Sequence, residues 1–158
     1  MNQTAASKPA VEKPAVGRRV ALVTGGIGGI GTEICRQLTQ TDCKVVAVDL
    51  AARSERIATA RDECAGSQDA ITFEPADVSD FDGCLQLVAR IEQQHGRVDI
   101  LVNAAGITRD ASLRKMTPQQ WHELMRVNLD GVFNMCRNVV EGMTARGFGR
   151  IVNISSVN

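Results

Sequence analysis

The chain alternates short, unbroken apolar runs with longer stretches in which apolar residues return every three or four positions. An unbroken run fits a strand buried on both faces, and the wider spacing fits an amphipathic helix. The first run, Val20-Ala21-Leu22-Val23, leads through Thr24 into five glycines within residues 25–31, after which Ile30, Ile34, Cys35 and Leu38 predict a helix to Thr39. Residues 45–48 form the second run and place Asp49 at its carboxyl end. Residues 53–65 carry a weak helical face through Ile57, Ala58, Arg61 and Cys64, with Gly66 as the stop. Residues 70–73 are a short third run, followed by Asp77, Val78 and Ser79. Ser79 with Asp82 three positions on predicts a capping box, opening a helix that Leu85, Leu87, Val88 and Ile91 carry to His95 and Gly96 ends. Residues 98–102 are the fourth run, ending in Asn103-Ala104-Ala105-Gly106. Thr117-Pro118-Gln119-Gln120 then supplies an N-cap, a first-turn proline and an N3 glutamine. Trp121, Leu124, Met125, Leu129, Phe133 and Cys136 extend that helix to about residue 145, with Trp121 expected in the core. Residues 151–154 make a fifth strand before Ser155 and Ser156.

Strands alternating with helices specify an α/β fold: a parallel sheet with helices on both faces. Such sheets bind ligands at the carboxyl ends of their strands, near the point where the strand order reverses. The glycine run, Asp49, residues 103–106 and the two serines all fall at such ends, and Asp77 lies just beyond another.

Composition narrows the partners. With 158 residues, 44% of them hydrophobic, the chain holds one domain's worth of core. Eighteen basic residues balance eighteen acidic ones, so no net field attracts nucleic acid or an anionic membrane. No stretch approaches the roughly 20 apolar residues of a membrane span. Five scattered cysteines without a C-x-x-C pair predict buried thiols in a reducing, cytoplasmic setting. His95 and His122 have no neighbours at metal-ligand spacing, so no metal site is expected. Residues 1–18, with Pro9, Pro14, several alanines and mixed charge, read as a disordered amino-terminal extension and not a targeting signal.

The candidate chemistry centres on phosphate. A strand ending in a glycine turn lets backbone N–H groups approach a pyrophosphate, and the following helix adds the positive end of its dipole. The glycines fit two patterns, Gly26-x-Gly28-x-x-Gly31 and Thr24-Gly25-x-x-x-Gly29-Ile30-Gly31. Together with Asn-Ala-Ala-Gly after the fourth strand, the second pattern resembles the short-chain dehydrogenase/reductase family, which implies a Rossmann-type doubly wound sheet. Asp49 lies 18 positions after Gly31, close to the spacing at which an acid accepts hydrogen bonds from an adenosine ribose. A carboxylate there repels a 2′-phosphate and favours NAD(H), while the nearby Arg53 and Arg56 leave NADP(H) open.

The resemblance implies further roles. Gly25, Gly29, Ile30 and Gly31 would hold the cofactor. Asp77 and Val78 match the family's adenine-contacting pair, and Asn103, Ala104 and Gly106 its segment along the adenosine side. Asp77 also reads as a helix-entry turn, and Asn103 as a residue that stabilises sheet and turn. Asn128, in Val-Asn-Leu-Asp-Gly-Val-Phe, matches the asparagine that bends a helix and holds a water in a proton relay; by residue type alone it is an exposed helical asparagine. Ser156, with Ser155 as fallback, matches the catalytic serine that donates to a substrate carbonyl.

Over residues 19–158 the resemblance is closest to acetoacetyl-CoA reductases of polyhydroxyalkanoate synthesis, through Gly106-Ile107-Thr108-Arg109-Asp110, Leu113-Arg114-Lys115-Met116-Thr117 and Arg146-Gly147-Phe148-Gly149-Arg150. It is less close to 3-oxoacyl-carrier-protein reductases. It implies a small acyl thioester substrate, an (R)-3-hydroxyacyl product, Asp110 at the substrate mouth and a homotetramer. The family's Y-x-x-x-K lies about a dozen residues after the serine, and the chain contains no tyrosine. The sequence is therefore expected to be the amino-terminal part of a reductase, its Rossmann domain incomplete after the fifth strand. By itself it would be inactive, or a non-catalytic half-domain that binds nucleotide or a partner.

Overall fold

Five parallel strands form one sheet in the computed structural model, which describes residues 17–64 and 71–156. The strands are β1 (Arg19–Thr24), β2 (Cys43–Asp49), β3 (Ile71–Pro75), β4 (Ile100–Asn103) and β5 (Arg150–Asn153). Their spatial order is β3-β2-β1-β4-β5, so the chain builds outward from β1 in one direction, then returns to its other side. The reversal lies between β1 and β4, which run in register from Ala21 opposite Ile100 to Thr24 opposite Asn103. The expected extension lies, as far as residue 16, outside the described residues, as do Gly66 and the expected first residue of β3, Ala70.

The helices are α1 (Gly29–Thr39), α2 (Ile57–Glu63), α3 (Phe81–His95), α4 (Pro118–Met125) and α5 (Gly131–Ala145). Because strand side chains alternate between faces, the β1 residues Val20 and Leu22 enter one core and Ala21 and Val23 the other. The first core is closed by Cys84, Leu87, Val88 and Ile91 of α3 and Met135, Val139 and Met143 of α5. The second is closed by Cys35 of α1 and by Cys64. Truncating a side chain as enclosed as Leu22 or Leu101 costs about 2–5 kcal/mol. Among the described residues no helix is long and apolar enough to cross a membrane.

Several helix signals are realised differently from expectation. The region read as helix from residue 53 starts as a 3₁₀ turn (Ala51–Arg56) before α2. α3 does not open on a Ser79 capping box: its N-cap is Asp80, without a side-chain cap bond. The Asp77 carboxylate instead accepts from the Ser79 N–H at 2.9 Å, a local turn that competes with the box. Gly96 ends α3 in the left-handed region at φ 79°, and Thr117 and Gln120 form the expected capping box of α4. The long helix is interrupted by a π-turn over Arg126–Asp130. Trp121 is 49% exposed, not core, because α4 buries none of its residues, and Leu129, Phe133 and Val140 are likewise exposed while α5 packs through Met135, Val139 and Met143.

Candidate functional site

The site forms where β1 and β4 end side by side. Thr24 turns its hydroxyl across the gap, and Oγ1 accepts from the backbone N–H groups of Ala104 and Ala105, each at 3.2 Å. Gly25 follows at φ 66°, a left-handed conformation that L side chains rarely adopt. A Cβ there would stand 2.8 Å from the Ala104 carbonyl oxygen. The two motifs that suggested the family are thus one packed unit.

The other glycines divide the labour. A Cβ on Gly31 would overlap the Gly25 carbonyl, so Gly31 lets α1 seat directly on the turn. A Cβ on Gly29 would meet nothing within 4 Å; it would point into open space. α1 starts at Gly29 with Gly28 as N-cap, no side-chain cap bond and no acidic residue in its first turn. Its first-turn N–H groups have no intrahelical acceptors, which makes this a place for an anion. A dinucleotide's pyrophosphate fits that open cradle.

The adjoining cleft has a volume of about 270 Å³ and is lined by Gly25, Gly28, Gly29, Ile30, Gly31, Asp49, Asp77, Val78, Ala104 and Gly106. Ala105 and Ile107, from the segments after the fourth strand, also line it, and Leu50 and Val127, which the sequence did not point to, complete much of its wall. Ile30, expected on the buried face of α1, is 66% exposed because it stands at the rim of this cleft. Asp49 accepts from the Leu50 N–H at 2.9 Å, and its backbone carbonyl accepts from Ala76 N–H, tying the β2 end to the wall containing Asp77.

Two buried thiols support these walls from below. The Cys35 thiol is pushed up to about 12, first by burial and then by Cys64, so it stays protonated as a weak donor to the Gly26 carbonyl at 3.8 Å. Burial, then Asp80 and Asp77, pushes the Cys84 thiol up to about 11, and it faces the Val78 carbonyl at 3.5 Å. Neither is a nucleophile at neutral pH.

A second, larger cavity of about 820 Å³ shares Ile30, Ala104, Ala105, Gly106 and Ile107 with the first. Asn128, Asp110, Ser155 and Ser156 line it together. Asn128 sits in the π-turn, and both ends of its amide are engaged: Oδ1 accepts from Ile107 N–H and Nδ2 donates to Ile107 O, each at 2.9 Å. This pair clamps the loop dividing the cavities. Arg109 on that loop reaches Glu123 at 2.9 Å, and the Arg109 hydrogen bond, followed by that from Gln119, holds the Glu123 carboxyl below the usual carboxylate range.

Asn103 lines neither cavity. It is buried, and Nδ2 donates to Asn153 Oδ1 at 2.9 Å, joining β4 to β5 behind the site. Among the described residues no group of three His, Cys, Asp or Glu side chains could hold a metal ion.

Residues 19–158 match the sequence profile of the short chain dehydrogenase family. The acetoacetyl-CoA reductase of Allochromatium vinosum is 52% identical over 143 residues, which cover 89% of this chain and 57% of that protein. The structure of a putative short-chain dehydrogenase from Novosphingobium aromaticivorans superposes with a TM-score of 0.81 at 32% identity, over 89% of this chain and 53% of the other. The NADP-bound structure of ElxO gives a TM-score of 0.80 at 27% identity, over 88% and 56% of the two chains. The chain thus spans about half the length of the relatives it matches.

Proposed function

From the premise that this chain belongs to the short chain dehydrogenase family, we propose that the whole protein reduces acetoacetyl-CoA, a 3-oxoacyl thioester, to the (R)-3-hydroxyacyl thioester at the expense of NAD(P)H. The observation that carries the reading is the shared wall. A glycine-lined cleft and a serine- and asparagine-lined cavity meet along Ile30 and residues 104–107. That is the arrangement a hydride transfer between two bound molecules requires.

A nicotinamide dinucleotide supplies the hydride when bound. The chain's own contribution is placement and charge stabilisation. The turn from Gly25 and the first N–H groups of α1 hold the pyrophosphate, and Asp49 accepts from the adenosine ribose hydroxyls, favouring NAD(H) over NADP(H). Asp77, Val78, Ala104 and Gly106 form the adenosine-side wall, with Asn103 fixing the strands behind it. Ser156, beside Ser155, donates to the substrate carbonyl oxygen as negative charge develops there. Asn128 holds the dividing loop, and Asp110 sits at the substrate mouth. The proton for the alkoxide needs the family's Tyr-x-x-x-Lys, and the sequence holds no tyrosine. The 158 residues alone are therefore expected to bind dinucleotide without turnover. The exposed Trp121, Leu129, Phe133 and Val140 support a surface covered in the whole enzyme, which we read as a cytoplasmic homotetramer.

The test is acetoacetyl-CoA-dependent oxidation of NADH and NADPH by a protein extended through a Tyr-x-x-x-Lys segment. Consumption of NADH ahead of NADPH is the expected result, and Asp49→Ala should narrow that preference. A greater rate with 3-oxoacyl-carrier-protein moves the substrate to that thioester. Oxidation of free 3-hydroxybutyrate, with no acetoacetyl-CoA-dependent consumption of either cofactor, overturns the assignment.

A further inference from the structure

One wall of the nucleotide cleft is the turn from Asp77 to Ser79, and α5 stands directly behind it. Asn134 of α5 is 5% exposed, in a helix interior where asparagine is a poor residue. Its Nδ2 donates to the Val78 carbonyl at 2.8 Å. Gly131, three residues earlier on the same helix face, lies so close that a Cβ would stand 2.7 Å from Val78 Cγ2. Arg126 donates to Ser79 Oγ at 2.9 Å.

The π-turn explains how one helix presents all three. A π-type bond from the Gly131 N–H to the Arg126 carbonyl stacks residues five apart on one face. Arg126, Gly131 and Asn134 thereby converge on the turn, while Asn128, inside the same π-turn, faces Ile107. Asn134 itself lines neither cavity.

We propose that Asn134 is a positioning residue for the adenosine half of the dinucleotide, acting through the Val78 carbonyl to fix the turn that walls the cleft. The inference rests on the reading of that cleft as a dinucleotide site. Removing the amide leaves a buried carbonyl with only a weak thiol donor, and the turn is then free to leave its place.

The experiment is titration calorimetry of the full chain with ADP-ribose. Asn134→Leu, of similar volume but without a donor, should weaken ADP-ribose about tenfold. Met143→Ala, at a buried position of α5 about 13 Å further along the helix, should lower the melting temperature and leave ADP-ribose affinity unchanged. Gly131→Ala, whose added methyl would press on Val78 Cγ2 and push the same turn from the helix, should also weaken ADP-ribose. It keeps the test informative should Asn134→Leu not fold, since wild-type affinity in Gly131→Ala then overturns the proposal. Wild-type affinity in Asn134→Leu, or an equal affinity loss in Met143→Ala, overturns the positioning role. Failure of the unmodified chain to bind ADP-ribose overturns the dinucleotide reading itself.

Discussion

The two ends of the sheet solve opposite problems with the same kinds of residue. At the amino end, charge is consumed internally. Asp99 is fully buried, and its carboxylate accepts from Val20 N–H at 3.0 Å and from Arg97 Nε at 2.7 Å. Its backbone N–H donates to Val20 and its carbonyl accepts from Arg150 N–H, so one residue joins β1, β4 and β5. Arg146 donates to the Val98 carbonyl at 2.7 Å and reaches Glu92, and Phe148 lies within 5 Å of both the Arg19 and Arg150 guanidiniums, at 4.6 and 4.9 Å. The carboxyl end keeps donors in reserve: an uncapped helix start, a glycine open to space and two cavities. The closed end commits its polar groups to the fold, and the open end leaves backbone donors uncommitted.

The largest effect that would sharpen this contrast is at the closed end. Asp99→Ala leaves the Arg97 guanidinium without its buried partner and should cost about 3–5 kcal/mol in denaturant unfolding. The fraction still folded should bind NADH with unchanged affinity. Gly31→Ala, which forces α1 off the Gly25 carbonyl, should cost about 1–3 kcal/mol and abolish NADH binding, because support and cradle are the same atoms there. Gly29→Ala should separate the two: stability within about 0.5 kcal/mol of wild type, with NADH affinity reduced about tenfold, since the new methyl stands where ligand belongs. An unchanged NADH affinity in Gly29→Ala would break the comparison.

Alkali should soften the open end. The Cys35 and Cys84 thiols, raised to about 12 and about 11 by burial, keep their protons in the folded chain. The unfolded chain releases them near the ordinary value of 9.0. Above that pH the unfolded state binds fewer protons, so stability falls as pH rises toward about 11, and not below about 9. Replacing both cysteines by alanine should flatten this decline in a pH series of thermal melts. The smallest effect is Phe148→Leu, which removes the ring shared by Arg19 and Arg150 and should cost about 1 kcal/mol without touching NADH affinity.

What was legible in the chain was whatever local pattern decides. The five apolar runs became the five strands, β1 and β2 buried on both faces as an unbroken run predicts and β5 exposed along its length at the sheet edge, and Thr117 with Gln120 capped α4 because both partners lie within one turn. The glycines and Asp49 came to one cleft because strand ends in a parallel sheet share an edge. Where partners are remote, local pattern failed. Thr24 meets Ala104 across 80 positions and Asn134 meets Val78 across 56, and nothing near either residue announces the bond. Ile30 and Trp121 carry apolar side chains at helical spacing, yet the first faces a cleft and the second solvent. Periodicity reports which face a residue is on, not what lies opposite that face. The Asn128 amide reaches Ile107 across 21 positions, a contact only the fold reveals.

The bond from Thr24 to residues 104 and 105, with Gly25 pressed against the same backbone, means that the glycine turn is not a portable module. Grafted alone onto another parallel sheet, it would arrive without the neighbouring strand end that fixes its shape. A chimera that exchanged the first βαβ unit would have to bring the Asn-Ala-Ala-Gly segment with it. For anyone recombining such domains, the unit of inheritance is a pair of distant segments, and crossovers placed between them should be the ones selection rejects.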